Sequence, residues 1–134
     1  MKLEEAISRI LGREQRFAPE AYFLVRDALD FTVARLAEEN RGESRHVSGP
    51  ELVYGFRDFV LQEFGPMGAT LLDDWSLTKS LDVGDIVFQF IEEGIFGKQD
   101  SDQREDFADV IDFQETFRDA FAPAHDEEVE EKAS

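Results

Sequence analysis

The chain has no cysteine among its 134 residues. That absence excludes disulfides, thiolate zinc sites and a cysteine nucleophile. Histidine is nearly as scarce. His46 and His125 are the two, and neither belongs to an H-x-x-x-H pair, so a zinc site has no ligand pattern behind it. No apolar run approaches the roughly 20 residues that a membrane span needs. The opening "MKLEEAISRILG" carries acids at positions 4 and 5 and no continuous apolar stretch. It reads as an amphipathic helix and not as a signal peptide, and the cytoplasm is the expected location. No glycine-rich phosphate cradle and no Gly-x-Ser-x-Gly elbow is present. Asp73 and Asp74 sit side by side on a helix, where adjacent side chains diverge by roughly 100°, a poor acid–base pair.

Positive charge is the other shortage. Fourteen Lys and Arg face 31 Asp and Glu, for a net charge of −17. Nucleic-acid binders draw most of their affinity from basic groups meeting phosphates. An acidic surface repels nucleic acid and anionic lipid alike. The deficit is uneven: −1 over residues 1–47, −4 over 48–75 and −12 over 76–134.

What is present describes a globular protein. Hydrophobic residues make up 42% and charged residues 34%, with thirteen phenylalanines to build an aromatic core. One compact domain is expected over residues 1–122. The last ten residues, "HDEEVEEKAS", have nothing to bury, so 123–134 is expected to be a solvated acidic tail.

The periodicity is helical throughout. Leu3, Ile7, Ile10 and Leu11 form a first stripe. Pro19 opens a long helix over 19–40, striped by Tyr22, Val25, Leu29, Thr32, Val33 and Leu36, with Gly42 as its stop. A third helix spans 49–64 and ends at Gly65. A fourth begins at Pro66 and carries Met67, Leu71, Leu72 and Trp75. A fifth spans about 81–93 and ends at Gly94. Asp112 to Phe121 makes a last helix, with Asp112 and Glu115 at cap spacing and Phe113, Phe117 and Phe121 on one face. The expected fold is all-α: a compact bundle of five to six helices, leaving room for a minor β-hairpin or wing near 94–112. Residues 67–96 also resemble a helix-turn-helix unit leading into that wing. The would-be reading helix, however, carries Asp82, Asp85, Glu92 and Glu93 and no basic residue, which disfavours nucleic acid.

The densest chemistry lies in "RHVSGPEL", residues 45–52. His46 as base and Ser48 as nucleophile lack an orienting acid. An i, i+2 pair on extended chain also points its side chains to opposite faces. The local reading is stronger: Ser48 and Glu51 have capping-box spacing, Pro50 suits a first turn, and Val47 and Leu52 occupy the two positions of a hydrophobic staple. Arg45 and His46 are left over. With Ser48 they form the candidate site of a small-ligand or anion-binding reading, in which Arg45 and the helix start would hold a carboxylate or phosphate. The acidic stretch "DSDQRED" fails the EF-hand pattern at three positions, so no metal site is expected, and no cofactor.

Five stretches, "FAPEAYFLVRDAL", "RHVSGPEL", "EFGPMGATLLDDW", "DVGDIVFQFIEEGIF" and "REDFADVIDFQETF", together resemble a small family of uncharacterised bacterial proteins. They cover most of the chain from Phe17 to Phe121. One departure is "ADVIDF", where glycine-tyrosine would precede the final Asp-Phe. The resemblance implies a single compact domain and brings no catalytic residues with it.

The sequence therefore points first to a non-enzymatic protein-interaction module. Its expected surface lies in 76–109, with Asp82, Asp85, Glu92 and Glu93 facing a basic protein partner or a second copy, and exposed Phe96 or Phe107 as apolar anchors. A ligand site at Arg45, His46 and Ser48 is the alternative. A helix-turn-helix nucleic-acid binder is the third reading, and no membrane partner is expected.

Overall fold

The computed structural model describes residues 2–42, 46–97 and 103–121. Among them the chain is all-helical, with five α-helices and several short helical turns. Helix α1 spans Lys2–Arg13, α2 Pro19–Glu39, α3 Gly49–Phe64, α4 Gly68–Asp74 and α5 Ser80–Glu92. The expected tail, 123–134, lies outside the described residues. No helix is long and apolar enough to cross a membrane among the described residues.

Local chemistry sets the ends. Pro19 stands in the first turn of α2, where its missing N–H leaves no bond unmade. Beyond α2 the Gly42 N–H donates to the Ala37 carbonyl at 2.6 Å, and Gly42 takes a φ of 87° that side chains rarely adopt. The Ser48–Glu51 box opens α3 as expected. The Glu51 N–H donates to Ser48 Oγ at 3.2 Å, and the Ser48 N–H donates to Glu51 Oε1 at 3.0 Å. Gly65 and Pro66 form a 3₁₀ turn before α4 rather than the first turn of it.

Helices α2 and α3 pack antiparallel as the central pair. Thr32 meets Gly55 at their crossing, where an added Cβ would stand 1.8 Å from Thr32 Oγ1. Phe31 and Phe59 pack 5.4 Å apart, and Arg35 pairs with Asp58 at 2.6 Å. Helix α5 packs against this pair and is the most enclosed helix of the protein. Every residue from Ser80 to Ile91 is buried or half-buried.

The C-terminal segment departs from expectation twice. No strand or wing occurs over the described part of 94–112. Residues Arg104–Phe107 form a 3₁₀ turn whose Phe107 is buried against Gly49 and Gly84. A large ring drives this segment inward, so it cannot stand off as a hairpin. The expected last helix is a single π turn, Gln114–Arg118, followed by a 3₁₀ turn at Asp119–Phe121. Phe113 and Phe117 pack on Phe56 at centroid distances of 5.9 Å and 6.3 Å. Phe121 escapes the stripe and is exposed.

Candidate functional site

The stretch that opens α3 borders a cleft of about 340 Å³. Leu29 and Val33 of α2 form one wall, and Val87, Phe88 and Ile91 of α5 form another. His46, Val47 and Ser48 stand at one side, with Phe107 closing the space between α3 and α5. The remaining wall is made by Ile95 and Phe96, and a short-range device brings them there. Gly94, at a φ of 77°, donates its N–H to the Ile91 carbonyl at 3.0 Å, and the Ile95 N–H donates to the Phe90 carbonyl at 2.9 Å. This pair of bonds is the Schellman motif that turns a chain back over the helix it leaves. It sets the Phe96 ring 4.9 Å from Phe90.

Phe107 is held in place from below. Ser80, itself buried, donates its hydroxyl to the Phe107 carbonyl at 2.6 Å and accepts from the Val110 N–H at 3.2 Å. Gly84 makes room for the ring, since a Cβ there would lie 2.5 Å from Phe107 Cγ. Phe107 is therefore a structural wall, 5% exposed, and not the exposed anchor that the sequence suggested. Phe96 is half-buried along the same cleft.

Of the three residues in the ligand reading, His46 is exposed at the cleft and Ser48 is half-buried beside it. Arg45 lies outside the described residues. The Ser48 hydroxyl is committed to the capping box, and so is the Glu51 carboxylate. The helix start that the anion reading needed thus has its cap already made. What remains is a cleft lined almost wholly by carbon, with one imidazole at its side. It can enclose an apolar group, and among the described residues no second titratable side chain lines it.

The acidic surface expected on α5 is mostly not a surface. Asp82 is 1% exposed. One of its oxygens accepts from the backbone N–H groups of Thr78 and Lys79, at 2.9 Å and 3.2 Å, which caps the start of α5. The other oxygen pairs with Arg16. Asp85 pairs with Arg16 at 2.6 Å and also with Arg104. Glu93 receives Arg9 at 2.6 Å and Arg13 at 2.7 Å. Of the four, only Glu92 is exposed to solvent, and it too pairs with Arg13, at 3.6 Å. The arginines in and just after α1 occur at positions 9, 13 and 16, a spacing that would share one face of a helix, and that was the sequence signal for this seam. What it lacked was any sign of which acids they would meet. The same burial leaves α5 little exposed surface to offer a nucleic-acid groove.

These pairings shift Asp85 and Glu93. Burial pushes the Asp85 carboxyl up, but the hydrogen bonds from Arg104 and Arg16 outweigh it and hold the group below the usual carboxylate range. Hydrogen bonds from Arg9 and Arg13 hold Glu93 low. Burial likewise raises Asp58, and its bonds to Arg57 and Arg35 bring it below the ordinary value. Tyr22 moves the other way. It is wholly buried, near Glu14 and donating to Gln89 at 2.8 Å, and burial lifts its phenol to about 12.

Among the described residues no group of three or more metal-ligating side chains is arranged to hold an ion. In comparisons with protein-family models, with curated proteins and with solved structures, nothing matches this chain.

Proposed function

We propose that this protein is a non-enzymatic protein-interaction module of the cytoplasm, working through the cleft beside α3. The observation that carries the reading is the lining. Val33, Val87, Phe88, Ile91 and Ile95 offer an apolar socket of about 340 Å³, the scale of one or two large side chains. Small-molecule sites pair an apolar lining with a few polar groups that fix orientation. Here the Ser48 hydroxyl is tied into a helix cap, so a partner's apolar side chain fits the site better than a polar metabolite. Membership of the small bacterial family that the motifs resemble belongs to the same proposal.

The absence of cysteine provides the test. Val47→Cys, labelled with a photo-crosslinker, is expected to give a discrete protein adduct in extracts of the source cell. The same label at Ser8, exposed on α1, is expected to give none. Adding Ile91→Arg should abolish the adduct. Equal labelling from both positions, or no adduct, ends the reading. A second reading, a small apolar ligand with a polar head near His46, rests on that imidazole at the cleft. It predicts a small mass increment on the Val47 label in place of a protein.

A further inference from the structure

A second groove lies toward the other end of the α2–α3 pair, with a cavity of about 250 Å³. Leu24, Phe59, Phe64 and Trp75 make its buried and half-buried floor, and the Phe64 and Trp75 rings meet edge to face at 6.2 Å. Phe23 stands at its edge, 38% exposed, one of four large apolar side chains so exposed among the described residues. Three carboxylates rim it: Glu20, Asp27 and Glu63, all exposed. No basic side chain among the described residues lines the groove. The nearby Arg26 sits 3.0 Å from Asp30 and reaches Asp27 only at 3.9 Å. Neither Glu20 nor Glu63 has an ion-pair partner among the described residues.

We propose that this groove binds a cationic amphipathic peptide segment of a partner protein, one apolar side chain entering between Phe23 and Trp75 with flanking Lys or Arg on Glu20 and Glu63. Charge decides the occupant. A second copy of this chain carries −17 and would set acid against acid. The chain's own last residues, "HDEEVEEKAS", are repelled for the same reason. A basic segment gains twice, from the unpaired carboxylates and from ring faces that attract cations. The protein already uses that second contact internally: Arg16 lies 4.4 Å from the Phe17 ring centre, and Arg35 lies 5.2 Å from that of Phe31. An exposed apolar patch rimmed by polar groups is the ordinary mark of a docking surface. This groove is separate from the cleft beside α3, so either proposal can fail while the other stands.

Trp75 is the chain's only tryptophan, which makes it a reporter placed in the groove itself. The full chain is titrated with a tryptophan-free helical peptide of leucine and lysine while Trp75 emission is followed. A saturable change that weakens with added salt is expected. The counterpart with glutamate in place of lysine should give none, and the one with alanine in place of leucine should bind more weakly. Glu20→Lys with Glu63→Lys should weaken the lysine peptide roughly tenfold or more. The melting temperature of that variant, expected to be that of the parent, verifies its fold. The absence of a saturable change, an equal response to the glutamate peptide, or unchanged affinity in the double variant overturns the proposal. So does an emission change that follows protein concentration without peptide, since a second copy would then be the occupant.

Discussion

Two sets of carboxylates on this protein have the same chemistry and opposite circumstances. Asp82, Asp85 and Glu93 lie on or just after α5 and meet Arg9 and Arg13 of α1, Arg16 just beyond it, and Arg104. Glu20, Asp27 and Glu63 surround the aromatic groove of α2 and α3 and are exposed, with no strong internal partner. The first set is tied to the folded state, and its field is largely cancelled close by. The second set adds little to folding and leaves its field available to solvent. A count of acids along the chain cannot separate the two, and the set on α5 proved to be the more neutralised one.

The contrast breaks most sharply at Asp82. Asp82→Ala removes the cap of α5, taking the acceptor from the Thr78 and Lys79 N–H groups and the buried half of the Arg16 ion pair. It is expected to destabilise the protein by about 3 kcal/mol in urea unfolding. The other face of α5 offers the next effect. Gly84→Ala drives a methyl into the Phe107 ring and should cost about 1–3 kcal/mol as an overpacked contact. Disorder of the 104–107 turn in such a variant, read by amide exchange, would confirm that the ring is the site of strain. Ser48→Ala opens the capping box of α3 and should cost about 1 kcal/mol. Against these, Glu20→Ala or Glu63→Ala should stay within about 0.5 kcal/mol of the parent. A groove acid that mattered as much as Asp82 would erase the distinction.

Acid sharpens the same comparison. Asp85 and Glu93 titrate lower in the folded chain than in the unfolded one. Their contribution is therefore complete above the ordinary carboxylate pKa of about 4 and is lost as pH falls through their lower folded values. Relief of the overall negative charge acts in the opposite sense, so a difference is measured. The stability gap between parent and Glu93→Gln should be widest near neutrality and close below about pH 4. The gap between parent and Glu20→Gln should stay near zero throughout. Tyr22 gives the alkaline counterpart. With its phenol raised to about 12, it favours the folded state below its unfolded pKa, and that advantage disappears as pH climbs toward the folded value.

Much of the helical framework was legible because its signals are short-range. Pro19, the Ser48–Glu51 box, Gly42, Gly65 and Gly94 mark helix ends through contacts a few residues apart. The limits of α3, residues 49–64, could be read directly from them. The C-terminal segment was less legible. Its phenylalanine spacing suits an α-helix, yet fitting Phe113 and Phe117 against Phe56 goes with a π turn. At the candidate site, the role of Ser48 was readable from its spacing to Glu51. The cleft beside it was not, since its walls come from α2, α5 and the residue 107 turn.

The sequence by itself determined that the chain is helical, where most helices start and stop, and which local groups cap them. Those outcomes depend on hydrogen bonds between near neighbours and on apolar spacing. Only the tertiary structure decided that α5 is enclosed, that its acids face arginines, and that Phe107 is a wall rather than an anchor. Arg9 and Glu93 stand 84 positions apart, and Arg16 and Asp82 stand 66 apart. A carboxylate looks the same in sequence whether it meets water or a guanidinium, and only packing brings one or the other to it.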